Sequence, residues 1–385
     1  MPARRACIAL DLTLPQAGLP AGWQSLAERL AESLIRQTPE VDFLLISYAA
    51  QAYAVAHLNA PNARLMVVPE RGGRSLLHRM QRRLRRSRVG RVFSGARIPA
   101  DVLVRASGGP GVAAPRVPVV GVVHDLQHVT HPHLLTSSQR VARAQAFDGL
   151  WRQASGIVCP TPGVRQVVLD HTTLAPTQVQ ALALAPLLLG PPGELARASE
   201  VLAQHRLRHR AYLLLAADFE PRHNHRLVLT ALGMHRAAHP QCDLTLVCTG
   251  APGAGEADTR MAAERMGLAP VVTFVGELTP EQRIGLVQSC QALLVPSLYE
   301  TVGEVVATAV VVGRPVVCSR TADLAELLDG AALSFDPHRP ADLTQAFERL
   351  ECDPQPLPDE KARTAHWSSP RDFVDAVLSV ASASH

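Results

Sequence analysis

The stretch Pro296-Ser297-Leu298-Tyr299-Glu300-Thr301-Val302-Gly303-Glu304, running on through Thr308 to Gly313-Arg314-Pro315-Val316-Val317, decides the architecture of this chain. An apolar run, Ala292 to Val295, ends in a Pro-Ser turn, where proline removes a backbone donor and stops strand pairing. An acid and a glycine then open a segment of small apolar residues that reads as a helix. Gly313 and Pro315 close it before the next apolar run. Such a strand–loop–helix unit aims backbone N–H groups and the positive end of a helix at whatever binds in front of it.

Working outward, the same alternation fills the chain. Strands are expected at Cys7–Leu12, Asp42–Ser47, Arg64–Pro69, Val102–Arg105, Val117–His124, Gly156–Pro160 and Val179–Ala185. In the second half they are expected at Tyr212–Ala216, Leu244–Thr249, Val271–Val275, Ala292–Pro296, Pro315–Cys318 and Leu333–Phe335. Helices are expected between them, notably at Gly22–Gln37, His223–His235, Gly255–Met266, Thr279–Ser289, Val302–Val312, Ala322–Leu328 and Ala341–Leu350. Continuously apolar strands separated by helices point to parallel sheets covered on both faces. The Pro/Gly-rich and then polar stretch 191–209 reads as a connection between an N-terminal domain, 1–190, and a C-terminal domain, 210–367. The fold class is therefore α/β, two doubly wound Rossmann-like halves facing a cleft, with ligands at the carboxyl ends of the strands.

Composition narrows the function classes. The chain has 385 residues, enough for two cores, with 47% hydrophobic and 19% charged residues. A formal net charge of +4 gives no reason to expect nucleic acid. The charge is uneven, since 71–97 holds ten arginines and no acid. Arg71–Arg97 could rest on an anionic membrane surface, bind a phosphorylated acceptor, or form a solvated helix face. Seven scattered cysteines without a CxxC pair suggest reduced thiols and a cytoplasmic protein, either soluble or peripheral at the inner face of the membrane. No apolar run approaches the roughly 20 residues needed to span a bilayer.

The order of residues from Pro296 to Val317 resembles the donor-binding segment of retaining family 4 glycosyltransferases (group 1, GT-B fold), written PSxxEGFGxxxxEAMAxGxPVV there. Tyr212–Ala217 followed by Glu220-Pro221-Arg222-His223-Asn224-His225 is similar to the family's strand and "PRKNH" turn. Val275-Gly276-Glu277 and Phe335-Asp336-Pro337 fall where that family has its "F.G" and "lfdP" words. Val123-His124-Asp125-Leu126-Gln127-His128 resembles its "HDlqh" loop, and Trp367-Ser368-Ser369-Pro370 the "fsW" segment that opens its last helix. The resemblance implies that this last helix, within 368–385, crosses back to the first domain.

It also implies a function and a site. In such enzymes a hexose, here of mannosyl or rhamnosyl type, moves from a nucleotide sugar to a glycan or lipid-linked acceptor in surface polysaccharide assembly. No metal or other cofactor is expected. The resemblance places Glu300 on the sugar hydroxyls, with Thr301, Val302 and Gly303 offering backbone groups to the donor. His124 would contact the transferring sugar and Asp125 would bind or orient the acceptor. Gly18 and Gly22, in the turn after the first strand, would allow a ligand close to the backbone.

This chain departs from the family pattern at one end of that site. The second signature acid, which clamps the ribose hydroxyls, is replaced by Thr308. Where the family has cations for the diphosphate, Ala217 and His223 stand, with Arg222 beside them, and Glu304 adds an acid. Two other readings therefore stay open: a non-catalytic GT-B subunit acting with an active protein partner, or an enzyme with a changed donor. The histidines at 124, 128, 131 and 133 lack a matching Cys or Glu for a zinc site.

Overall fold

The computed structural model describes residues 4–13, 22–68, 98–107, 111–112, 116–184, 198–301, 303–321, 324, 328, 332–352 and 367–383. The chain divides into two compact units, 1–190 with 367–385, and 191–366. Gly18, Val302 and the whole of Arg71–Arg97 lie outside the described residues, as does most of the helix expected at 322–328.

The first unit is a seven-stranded sheet in the order β3-β2-β1-β4-β5-β6-β7. Its strands are β1 (Cys7–Asp11), β2 (Asp42–Tyr48), β3 (Ala63–Val68), β4 (Val102–Arg105), β5 (Val119–Val122), β6 (Gly156–Cys159) and β7 (Val179–Ala181). All pairings are parallel. β4, β5 and β6 are buried along their whole length, which is why they read as continuous rather than alternating apolar runs, with Arg105 at the end of β4 the one charged residue. The helices of this unit include α1 (Gly22–Gln37), α2 (Gln127–Thr130), α3 (Ser137–Trp151) and α4 (Pro162–His171). α3 starts on a capping box, Thr136 with Gln139, that satisfies backbone N–H groups of its first turn.

The second unit holds six parallel strands in the order β10-β9-β8-β11-β12-β13. They are β8 (Leu213–Ala216), β9 (Leu246–Thr249), β10 (Val272–Phe274), β11 (Ala292–Val295), β12 (Val316–Ser319) and β13 (Leu333–Phe335). Its helices include α5 (Ala198–Gln204), α6 (His225–Ala238), α7 (Ala254–Arg265), α8 (Pro280–Ser289), α9 (Glu304–Val311) and α10 (Pro340–Cys352). Part of the stretch read as a connection is thus α5, and it packs on α8. Local composition hides this helix because Pro and Gly precede it and Arg and His follow it.

The last helix, α11 (Pro370–Ser382), belongs to the first unit and packs on α1 and on β4 to β7. Ser369 and Asp372 cap it reciprocally, and Pro370 occupies its first turn, where a missing N–H costs nothing. Phe373, Val377 and Val380 are fully buried. Gly156 is what lets the helix approach: a Cβ there would lie 2.7 Å from Cβ of Val380. Among the described residues no helix is long and apolar enough to cross a membrane.

Candidate functional site

Each sheet reverses its strand order once, between β1 and β4 in the first unit and between β8 and β11 in the second. The loops leaving neighbouring strands in opposite directions open a crevice at such a point. In the second unit the loops are 217–224 after β8 and 296–303 after β11, and two contacts join them. The Leu298 N–H donates to the Arg222 carbonyl at 2.8 Å, and His223 Nδ1 lies 3.3 Å from Ser297 Oγ. Gly250, after β9, takes φ +146° and lets a third loop close in, since a Cβ there would stand 2.9 Å from the Ala217 carbonyl oxygen.

Within this pair of loops the residues expected at the site come together. Gly303 has φ 62° and ψ 39°, a left-handed conformation that suits glycine, and serves as N-cap of α9. Its N–H donates to Glu300 Oε1 at 3.3 Å, fixing the acid at the mouth of the helix. Thr301 is buried beside it. Arg222 donates from Nε to Glu220 Oε2 at 2.8 Å, and its Nη2 is 4.0 Å from Asp218 Oδ2. Burial alone would make the guanidinium easier to deprotonate, but the negative charges of Glu300, Glu220 and Asp218 outweigh it and raise its pKa.

His223 is buried, with Nε2 3.0 Å from Asp218 Oδ1. With the proton on Nε2 the ring donates to Asp218 and accepts from the Ser297 hydroxyl. Burial pushes Asp218 upward, yet the hydrogen bond and charge of His223, the charge of Arg222 and the Glu220 N–H pull it down to about 2. Asp218 therefore stays ionised. Asp218, Glu220 and His223 bring ligand-type atoms within 4.8 Å of one another, but Arg222 already supplies a cation to both acids.

Two positions where the chain departs from the family pattern lie on α9. Thr308 lies about one turn inside the front of α9 with its hydroxyl donating to the Glu304 carbonyl at 3.0 Å, the usual back-bond of a helical threonine. Glu304 stands at the positive end of α9 and 3.8 Å from Arg283 Nη2.

In the first unit, His124 follows β5 and is only 2% exposed, with Nε2 2.7 Å from the Ala106 carbonyl oxygen. Burial lowers its pKa, against the opposing pull of that hydrogen bond and of Asp125. Asp125 accepts from Trp23 Nε1 at 3.2 Å, from the Gln127 N–H at 3.1 Å and from Arg143 Nη1 at 3.1 Å. His124 and Asp125, the expected sugar and acceptor contacts, thus stand in a bracing network within the first unit, His124 buried and Asp125 partly exposed. The network reaches from residue 23 to residue 143, a separation that leaves no local signal. Gly22 opens α1. At the switch point itself, Asp11 at the end of β1 accepts from Thr13 Oγ1 at 2.6 Å and from the Val112 N–H at 2.8 Å. Of the other histidines of the 124–133 loop, His128 lies flat on Phe147, while His131 has Nδ1 2.9 Å from Thr130 Oγ1 and its ring 6.0 Å from that of His133.

Sequence reasoning had not singled out Asp218, Ser297 or His225. His225, at the start of α6, is 6% exposed, stands 4.8 Å from the Phe219 ring, and its Nε2 has no hydrogen-bond partner. Burial first, and then the charge of His223, push its pKa down to about 4, against a smaller upward pull from Asp218. A histidine depressed in the folded state binds its proton more tightly once unfolded. Its penalty is therefore absent above about pH 6.5 and grows as pH falls toward 4, to roughly 3 kcal/mol. The melting temperature should fall over that window, and His225→Phe should flatten the fall. An equally steep loss in the variant would place the cause elsewhere.

Comparison with known proteins follows the same division. Residues 210–353 match the family described as "Glycosyl transferases group 1". A D-inositol 3-phosphate glycosyltransferase of Corynebacterium jeikeium (strain K411) is 35% identical over 121 residues, which are 30% of this chain and 29% of that protein. The enzyme of the same name from Arthrobacter sp. (strain FB24) is 25% identical over 366 residues, 88% of this chain and 84% of its own. Among solved structures, Anabaena Alr3699/HepE in complex with UDP and glucose superposes with a TM-score of 0.64 at 15% identity, covering 99% of each chain. Sucrose-phosphate synthase from Thermosynechococcus elongatus gives 0.59 at 16% identity, over 98% of this chain and 97% of that one.

Proposed function

We propose that the chain, whose residues 210–353 match the group 1 glycosyltransferases and whose fold is that of GT-B enzymes, transfers a hexose, with retention, from a nucleotide sugar to a glycan or lipid-linked acceptor of surface glycoconjugate assembly. The observation that carries this reading is the joined pair of loops at the switch point of the second sheet. There Glu300, held by the Gly303 N–H, faces Arg222 at the mouth of α9. A carboxylate beside a guanidinium and free-ended backbone suits a sugar whose hydroxyls accept and donate and whose phosphates are anionic.

In this reading Glu300 accepts from hydroxyls of the transferring sugar. The backbone of Thr301, Val302 and Gly303 lies along the donor, and Arg222 and His223 stand toward the diphosphate. Retention is proposed to need no protein nucleophile. The incoming hydroxyl oxygen bonds to the anomeric carbon as the carbon–oxygen bond to the diphosphate breaks. The departing phosphate keeps the electron pair and takes the hydroxyl proton. The protein contributes position and electrostatics, and no metal is proposed for this step. His124 and Asp125 are assigned positioning roles, because both are engaged inside the first unit. Thr308 offers the nucleotide at most one neutral hydroxyl, so ribose recognition should contribute little.

Names of relatives supply two choices for a test. HepE is described with UDP and with UDP-glucose, which puts UDP-sugars first in a donor panel. The inositol 3-phosphate enzymes add phosphorylated inositol as a second acceptor class. The purified chain should be screened by thermal shift against UDP, GDP, ADP, CMP, dTDP and their sugars. A true donor at about a hundred times its Kd should add roughly 2.7 kcal/mol of stability. Response to one nucleotide series, lost in Glu300→Ala, supports the reading; silence across the panel sinks it.

A further inference from the structure

The far end of α6 carries a second cluster of reactive side chains, roughly 15 Å along the helix from His225. His235 and His239 are one turn apart and share a face. The chain then turns back, with the His239 N–H on the His235 carbonyl and the Cys242 N–H on the His239 carbonyl, both at 2.9 Å. This turn sets Cys242 against α10. From α10, Glu348 and Glu351 project toward the same place. His235 Nε2 is 3.1 Å from Glu351 Oε2, Cys242 Sγ donates to Glu351 Oε1 at 3.3 Å, and His239 Nε2 is 3.4 Å from Glu348 Oε1.

We propose that His235, Cys242 and Glu351 form a binding site for a borderline-soft divalent cation, zinc foremost, with His239 and Glu348 in reach as further ligands. The ligand atoms of the first three all lie within 4.8 Å of one another, and so do those of His235, His239 and Glu348. Donors placed about 2.0–2.3 Å from a tetrahedral zinc stand roughly 3.3–3.8 Å apart. The sulfur and carboxylate oxygens are therefore already near the spacing of a tetrahedron edge. The set of imidazole, thiol and carboxylate selects zinc or cobalt over magnesium or calcium, which prefer oxygen alone.

Two further observations point to a ligand rather than a plain ion pair between helices. His235 is fully buried and presents Nε2 to the cluster, so its partner acid meets it away from water rather than in a solvated surface pair. The Leu244 N–H donates to Cys242 Sγ at 3.3 Å, the kind of outer contact that holds a thiolate in place. Arg236 is turned to the Cys242 carbonyl oxygen at 2.9 Å. On binding, the metal takes the position of the thiol proton: the S–H bond breaks, the sulfur keeps its electron pair as ligand, and the proton leaves to solvent. The bound ion would tie α6 to α10.

The test uses the full chain, stripped with chelator and titrated with cobalt(II) as an optical probe. One equivalent should give intense tetrahedral visible bands and a thiolate-to-cobalt charge-transfer band. Cys242→Ser should abolish the charge-transfer band, while Cys7→Ser, in the first unit, should leave it intact. Glu351→Gln, checked for folding by circular dichroism, should weaken binding by more than the about 10- to 100-fold that loss of an outer contact produces. Zinc should raise the melting temperature of the wild-type chain but not of Cys242→Ser. No charge-transfer band at one equivalent, or a band that survives Cys242→Ser, would overturn the assignment.

Discussion

Glu300→Gln is expected to lower kcat/KM for sugar transfer by about tenfold to more than a hundredfold with the fold intact. The substitution keeps an oxygen to accept from the Gly303 N–H, so the left-handed turn into α9 retains its tie. What it removes is charge. A hydrogen bond to a charged group contributes about 1.5–3 kcal/mol, and each 1.36 kcal/mol is tenfold in rate. Arg222 keeps Glu220 at 2.8 Å and Asp218 at 4.0 Å, so it is not stranded by the change. The neighbouring acid gives the contrast. Glu304→Gln removes a charge that already faces Arg283, and should leave kcat/KM within a few-fold. Steady-state kinetics with the donor from the thermal-shift screen separates the two. Equal, small losses in both variants would remove Glu300 from the site.

The folding pattern was legible where burial on both sides of a parallel strand leaves no room for polar residues. Leu213-Leu214-Leu215 and Ala292-Leu293-Leu294-Val295 announce their strands for that reason, and Val102-Leu103-Val104 does the same in the first unit. The turn into α9 was legible too, because Gly303 takes the left-handed conformation that suits glycine and its N–H meets the acid of Glu300. Less legible was anything that depends on distant parts of the chain. His225 gives no local sign that Phe219 will cover it. His124 gives no local sign that its Nε2 will meet a carbonyl eighteen residues earlier. α5 was obscured by its flanks, since it is seven residues long and stable only through its packing on α8. The proposed metal cluster offers His235, His239 and Cys242 within eight residues, but its acids come from more than a hundred positions away, so the local spacing alone is an incomplete sign.

The same distinction yields the sharpest stability prediction. Asp125→Ala is expected to destabilise the protein by about 3–5 kcal/mol, the usual result of removing one partner of a buried pair. Arg143 is 5% exposed and would keep only the neutral Gln127 Oε1 at 3.1 Å, with no charge opposite it, while Trp23 Nε1 and the Gln127 N–H would lose their acceptor. Replacing both ends, Asp125→Ala with Arg143→Met, removes the stranded guanidinium and should recover a large part of the loss. Trp23, over whose ring Arg143 lies at 5.7 Å, then packs on an apolar chain instead. Denaturant unfolding of the two single variants and the double variant closes the cycle. An Asp125 that served the acceptor directly would behave in the opposite way. Its alanine variant would keep its stability and lose transfer, and Arg143→Met would restore nothing. A strongly non-additive cycle, with activity following the folded fraction, would establish that this acid acts through the architecture it braces.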